Sequence, residues 1–329
     1  MLTERENYLR LLNGEIPEFI PKYRMMEWSM FANPFGHKKL PDGSIQDEYG
    51  LIHVTSKESM DGFMPKPGMV LIEDITKWRD VIHTPDVDSI DWEKFAQEKL
   101  KDRDTVNMPT VMGVGDFFIK LVNFMTFAEA LVALFEEPEE CYALMEYISD
   151  YYVALIKKYL VYFNPDVLSL ADDVAADQAP FISPETYHDL IIPHHKRLAD
   201  IALDAGLKIS MHCCGKCDVF TDDWVSIGVN AWEPAQAGND FLGIKKKYNN
   251  KLAIMGGWDS TGPLALPGVT DDQLRAALKE YVDTMAPGGG FAYMARMADT
   301  GFNEEDTKHK NEICDAFYEE YAKGWYQNH

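Results

Sequence analysis

From residue 166 onward the chain repeats one pattern. A short apolar run ends abruptly in polar residues, and a helical stretch follows. The runs are DVLSLADD (166–173), LKISMHCC (207–214), VNAWEP (229–234), KLAIMGGWD (251–259) and GGFAYMARM (289–297). Each has the length and apolar continuity of a strand buried on both faces. The segments between them read as helices: one opened by Ser183 with Pro184 at its first position and running to about 205, then 217–227, 239–249, 270–286 and 304–325. Strands that alternate with helices this regularly predict a parallel sheet covered by helices.

The first half carries the same alternation less cleanly. T-E-R-E (3–6) is a capping box and Gly14 a stop, so a helix is predicted over 3–13. IPEFIPKYR (16–24) reads as a strand running to Glu27, MVLIEDI (69–75) as a second and MPTVMGV (108–114) as a third. Helical periodicity covers 116–136, and Pro138 opens a long amphipathic helix over 138–163. Eight strands in 329 residues predict closure into a (β/α)8 TIM barrel as a single domain over 1–329. Residues 28–68 are irregular, rich in Pro, Gly and aromatics, and are expected to cover the barrel mouth as an insertion.

Composition excludes several function classes. Lys plus Arg total 31 against 54 Asp plus Glu, a net charge of -23, which repels a phosphate backbone and argues against nucleic acid. No apolar run approaches the roughly 18 residues of a membrane span. The charged start MLTERENYLRLLNG lacks a signal-peptide core, so a cytoplasmic protein is expected.

In such a barrel the reacting groups come from the C-terminal ends of the strands. Here those ends carry Glu27, Glu73, Asp74, Asp172, Asp173, His212, Cys214, Glu233, Asp259 and Arg296. The strongest local signal is His212-Cys213-Cys214-Gly215-Lys216-Cys217, which holds three of the five cysteines. Residues i and i+2 of a strand share a face, so His212 and Cys214 can aim at one ion while Cys213 turns away. Imidazole plus thiolate suits zinc. Glu233, which ends the next strand, is the candidate third ligand. Cys217, one short loop onward, is a possible further one, and Asp259 is more remote. Two other readings stay open: buried inert thiols, or a redox pair in the C-x-x-C spacing of Cys214 and Cys217.

Asp172, Asp173 and Glu27 are candidates for acid–base or orienting roles. Trp28, Phe31, Trp232, Trp258 and Tyr293, with Phe35, Phe117 and Phe291, are candidates to wall a flat apolar substrate, core packing being the alternative. Gly288-Gly289-Gly290 precedes a strand rather than opening a helix and reads as a turn.

These residues resemble a known group. ERENYLRLLNGEIPEFIP, W-R-D-V-I-H-T-P-D (78–86), E-E-P-E-E-C (136–141), the A-D-D of 171–173, I-S-P-E-T-Y (182–187) and P-H-H-K (193–196) are similar to the uroporphyrinogen decarboxylase superfamily over essentially the whole chain. H-C-C-G (212–215) resembles the H-x-C-G of its cobamide-dependent methyltransferase branch. The resemblance implies a barrel and a zinc ion on His212 and Cys214. It also implies methyl transfer to or from a corrinoid, a methylcobamide when loaded, carried by a partner protein. That branch uses a later Cys as well. Here FAYMARMADTG (291–301) has no thiol, so an oxygen donor such as Glu233 is expected instead. The substrate-specific methyltransferases of anaerobic aromatic O-demethylases are the most similar members, which implies a veratrole- or vanillate-like methyl donor. The runner-up is decarboxylation, although KYRMMEWSMFANPF (22–35) has one Arg and lacks the R-x-x-G-R that anchors a polycarboxylate. A corrinoid- or metal-binding accessory protein without catalysis is the third reading.

Overall fold

The computed structural model describes residues 2–23, 29–30, 33–36, 38–55, 63–298 and 303–329. Its centre is one parallel sheet of seven strands in sequential order: β1 (Ser29–Met30), β6 (Val111–Val114), β7 (Val167–Ala171), β8 (Lys208–His212), β9 (Ala231–Ala235), β10 (Ala253–Gly256) and β11 (Phe291–Ala292). A parallel bridge between Lys22 and Tyr293 joins the segment before β1 to the end of β11. The Tyr23 amide donates to the Tyr293 carbonyl at 2.8 Å, and the Tyr293 amide to the Pro21 carbonyl at 2.8 Å. The sheet thus closes on itself as the TIM barrel expected from the alternation.

Helices follow the strands: α1 (Glu4–Leu12), α2 (Trp92–Leu100), α3 (Phe117–Phe124), α4 (Phe127–Glu136), α5 (Pro138–Tyr162), α6 (Pro184–Leu190), α7 (Ile192–Asp204), α8 (Thr221–Ser226), α9 (Phe241–Lys247), α10 (Asp271–Met285) and α11 (Glu304–Phe317). The capping box of α1 forms as predicted, with Thr3 and Glu6 exchanging bonds. Ser183 caps α6 through the Thr186 amide. The stretch 116–136, read as continuous, is two helices bent by 113° around Met125 and Thr126, where Thr126 caps α4. Among the described residues no single helix is long and apolar enough to cross a membrane.

Two apolar clusters follow from the period-two alternation of the strands. Val111, Val167, Ala231, Ala253, Met255 and Ala292 point into the barrel and meet Tyr8, Leu11 and Leu12 of α1, which plugs one end. Their neighbours Met112, Leu168, Leu170, Met211, Trp232 and Ile254 point outward and pack under the helices. The Arg5 guanidinium grips Asp166 at 2.6–3.0 Å, and Asp166 also accepts from the Thr110 amide, which ties α1 to the N-terminal ends of the strands.

Three expectations are corrected. IPEFIPKYR is not a strand over its described residues, 16–23, where Lys22 alone forms a bridge. MVLIEDI is not a strand: the Leu71 and Ile72 amides both bond to the Phe124 carbonyl at the end of α3, and Asp74 caps a 3-10 turn over Ile75–Asp80. A local carboxylate cap and an orphan helix carbonyl outcompeted the apolar pattern. The stretch 38–65 is not irregular throughout, since it carries an antiparallel sheet of β2 (Lys38–Lys39), β3 (Ile45–Gln46), β4 (Ile52–Thr55) and β5 (Phe63–Pro65).

Candidate metal centre

Inward-facing residues at the C-terminal ends of β7, β8 and β9 form layers fixed by register. Ser169 and Ser210 are partners, as are Ala171 and His212, and His212 pairs with Glu233. Two residues beyond Ala171 and His212, Asp173 and Cys214 return to the same side. Ligand atoms of Asp173, His212 and Cys214 all lie within 4.8 Å of one another. The Cys214 amide donates to Asp173 Oδ1 at 2.7 Å, which fixes the carboxylate beside the thiol. Burial and the neighbouring Asp173 charge push the Cys214 thiol well above its ordinary value. A cation shared between a thiol and a carboxylate so close reverses that effect. Nitrogen, sulfur and oxygen donors converging at half-buried positions therefore fit a borderline ion such as zinc.

The loop after β8 is braced at every step. Gly215 and Cys217 amides donate to Gln236 Oε1 and Asn239 Oδ1, both at 2.9 Å, and Asn239 donates back to the Gly215 carbonyl. Gly215 has φ +89°, and a Cβ there would sit 2.6 Å from the carbonyl oxygens of Ala175 and Ala176. Only glycine lets the chain turn so tightly against the loop after β7.

Several expected site residues stand elsewhere. Glu233 does lie beside His212, but it falls outside the converging group. Its Oε1 accepts from Ser210 Oγ at 2.7 Å and Ser169 Oγ at 3.2 Å, one layer deeper in the barrel. Asp173 takes the place foreseen for it. Asp172 points the opposite way to Asp173 and accepts from the amides of Phe117, Phe118 and Ile119 at 2.8–3.1 Å, capping α3 from across the layer. It is 1% exposed, and burial pushes its carboxyl up against the pull of those donors. Cys217 is buried behind the loop: its thiol donates to the Cys214 carbonyl at 2.9 Å and lies 3.3 Å from Cys213 Sγ. The close sulfur pair is thus Cys213 and Cys217, not Cys214 and Cys217. Trp232 and Tyr293 face outward from the barrel; the indole donates to the Cys213 carbonyl and the phenol to the Cys314 carbonyl. Trp258 lines a separate cavity of about 480 Å³ with Phe241 and Tyr281. Asp259 is exposed and caps its own turn through the Thr261 amide. Glu27, Trp28 and Phe31 lie outside the described residues.

Sequence reasoning missed Tyr23. Burial and the Glu233 carboxylate raise its phenol, with Cys214 contributing, and its ring packs against the cluster inside the barrel. Its buried hydroxyl closes no hydrogen bond of ordinary geometry. The signal was only that Tyr23 belongs to an edge segment of the barrel, which gives no orientation by itself.

Above the strand ends lies a cavity of about 330 Å³. Its floor includes Gly113, Val114 and Ala171, the in-register partner of His212, and its roof comes from the β2–β5 sheet. Lys120 reaches into it between Glu48 at 3.6 Å and Asp116 at 3.7 Å. Burial alone would push that ammonium down, but Asp116, Glu48 and Asp47 more than offset it.

The uroporphyrinogen decarboxylase (URO-D) pattern matches residues 77–295, two thirds of the chain and all of β6 to β11. The chain belongs to the uroporphyrinogen decarboxylase family. A solved structure of a methyltransferase from Methanosarcina mazei superposes with a TM-score of 0.58 at 14% identity, over 97% of this chain and 100% of that one. At that identity the likeness concerns the fold. No curated protein matches the chain. Within the URO-D family frame, the metal-ligand candidates sit at and just beyond the C-terminal ends of β7 and β8, and the cavity reaches that region through Ala171, the in-register partner of His212.

Proposed function

We propose that this URO-D family protein is a zinc-dependent methyltransferase. It moves a methyl group from a methoxylated aromatic to the corrinoid of a partner protein. The observation that carries the reading is the convergence of Asp173, His212 and Cys214 within 4.8 Å at the barrel mouth. The resemblance of H-C-C-G (212–215) to the methyltransferase pattern and the fold shared with a methyltransferase from Methanosarcina mazei support it.

The chain's residues divide the work as follows. Asp173, His212 and Cys214 would hold the ion. Zinc there supplies Lewis acidity for the oxygen of an aryl ether, and one carboxylate in place of a second thiolate makes the ion a stronger acid. The corrinoid of the partner supplies the methyl acceptor. Tyr23, protonated at neutral pH and without a regular partner, can donate a hydrogen bond to the departing oxygen. Glu233, pinned by Ser169 and Ser210, adds its charge to the burial that keeps that phenol protonated. The cavity that Ala171, the in-register partner of His212, helps to line would hold the ring.

Decarboxylation of a polycarboxylate fits less well, because the one lysine among the described residues of the cavity is already shared by two acids. Elemental analysis beside single-turnover assays with a reduced corrinoid protein tests the proposal. One equivalent of zinc and metal-dependent demethylation are expected. Full methyl transfer after complete metal removal would overturn it.

A further inference from the structure

The cavity over the strand ends has a charge that the methyl-transfer reading does not use. Three carboxylates line it, Asp47, Glu48 and Asp116, against one lysine. Glu48 and Lys120 are almost sealed from water, with side chains 4% and 12% exposed. Lys120 is held by Glu48 and Asp116 together, so among the described residues no lysine or arginine of the cavity is left over for a ligand. Asp47 is tied to His53 Nε2 at 3.0 Å and to the amides of Tyr49 and Leu51 at 2.9 Å. Tyr152 donates to Asp116. The remaining walls combine the amides of Asn33 and Asn123 with apolar and aromatic groups, including Ile45, Leu155 and Tyr159.

Such a chamber has surplus acceptor oxygens and surplus negative charge. A ligand carboxylate would lose its hydration and meet like charge at short range, with no unshared lysine or arginine among the described lining residues. A hydroxyl would find an acceptor, and a flat ring would find apolar walls. The volume lies at the small end of ligand pockets, which run about 300–1,000 Å³. It suits one ring with small substituents.

We propose that this cavity is the donor subsite. It accepts an uncharged aryl methyl ether carrying a hydroxyl, a methoxyphenol, and rejects the same ring bearing a carboxylate. This rests on the methyl-transfer reading for the word donor, but the binding preference stands apart from turnover. Glu48 and Asp116 are its specificity determinants.

The test is calorimetric binding to the zinc-loaded protein of two unreactive probes, catechol and 3,4-dihydroxybenzoate, which differ only by the carboxylate. Catechol should bind at least tenfold more tightly. Glu48→Gln should narrow that ratio severalfold, and Asp116→Asn should do the same if the first variant fails to fold. In turnover, 2-methoxyphenol should outpace vanillate by a similar factor. Equal or tighter binding of the acid would overturn the proposal. So would failure of both probes to bind at millimolar concentration, or a ratio unmoved in both folded charge variants. If the binding preference holds while neither ether is demethylated, the methyl-transfer reading falls and the charge-selective site remains.

Discussion

At the scale of single residues, Asp172 and Asp173 show how one step along a strand separates two roles. Asp173 returns to the barrel interior and joins His212 and Cys214. Asp172 turns outward and holds three amides at the start of α3. Asp173→Ala should therefore lower zinc stoichiometry under mild dialysis while leaving thermal stability of the apoprotein nearly unchanged. Asp172→Ala should do the reverse. Stranding three buried donors should cost about 2–4 kcal/mol in denaturant unfolding, with zinc content retained in the folded fraction. Measuring both properties on both variants separates the roles. Equal metal loss in the two would place Asp172 in the site after all. Glu233→Gln should keep its zinc, because its oxygen is already engaged by Ser169 and Ser210.

At the scale of elements, α7 brings His194 and His195 under the strand ends. His195 is fully buried, bonded through Nε2 to the Gly115 carbonyl, and burial pushes both imidazoles down to about 4. The sign follows from linkage. Below the unfolded value of 6.5 the unfolded chain takes up protons that the folded one refuses, so stability is full above pH 6.5 and is lost as pH falls toward 4. Each histidine contributes on the order of 3 kcal/mol to that loss. Urea unfolding of His195→Leu between pH 7 and 4 should show a shallower decline than the wild type, and an unchanged slope would refute the assignment. The loop after β8 makes a second prediction. Gly215→Ala drives a Cβ into two carbonyls at positive φ. It should destabilise by about 1–3 kcal/mol and loosen zinc, as read by a faster transfer of metal to a chelator.

At the scale of the whole molecule, the ligand candidates sit at the rim, while the two apolar clusters run through the barrel interior and under the helices. Metal removal should therefore leave the far-ultraviolet dichroism intact and lower stability only by the binding linkage, about 3–4 kcal/mol at 100–1,000 times Kd. Unfolding on chelation would mean that the ion is part of the core.

The helix after T-E-R-E, the capping of α6 by Ser183, the apolar runs of β7 to β10 and the shared face of His212 and Cys214 were all legible from the chain alone. Each depends on local spacing, and local spacing acts before the fold forms. What the chain alone left open involved partners distant in sequence. MVLIEDI looked like a strand until the Phe124 carbonyl claimed its amides. Trp232 and Tyr293 looked like mouth aromatics until strand parity turned them outward. The choice of Asp173 over Glu233 came from the register between β7, β8 and β9. Periodicity fixes which residues of one strand share a face, but only the pairing of neighbouring strands decides which of those faces meet, at what height, and with which hydrogen bonds already taken.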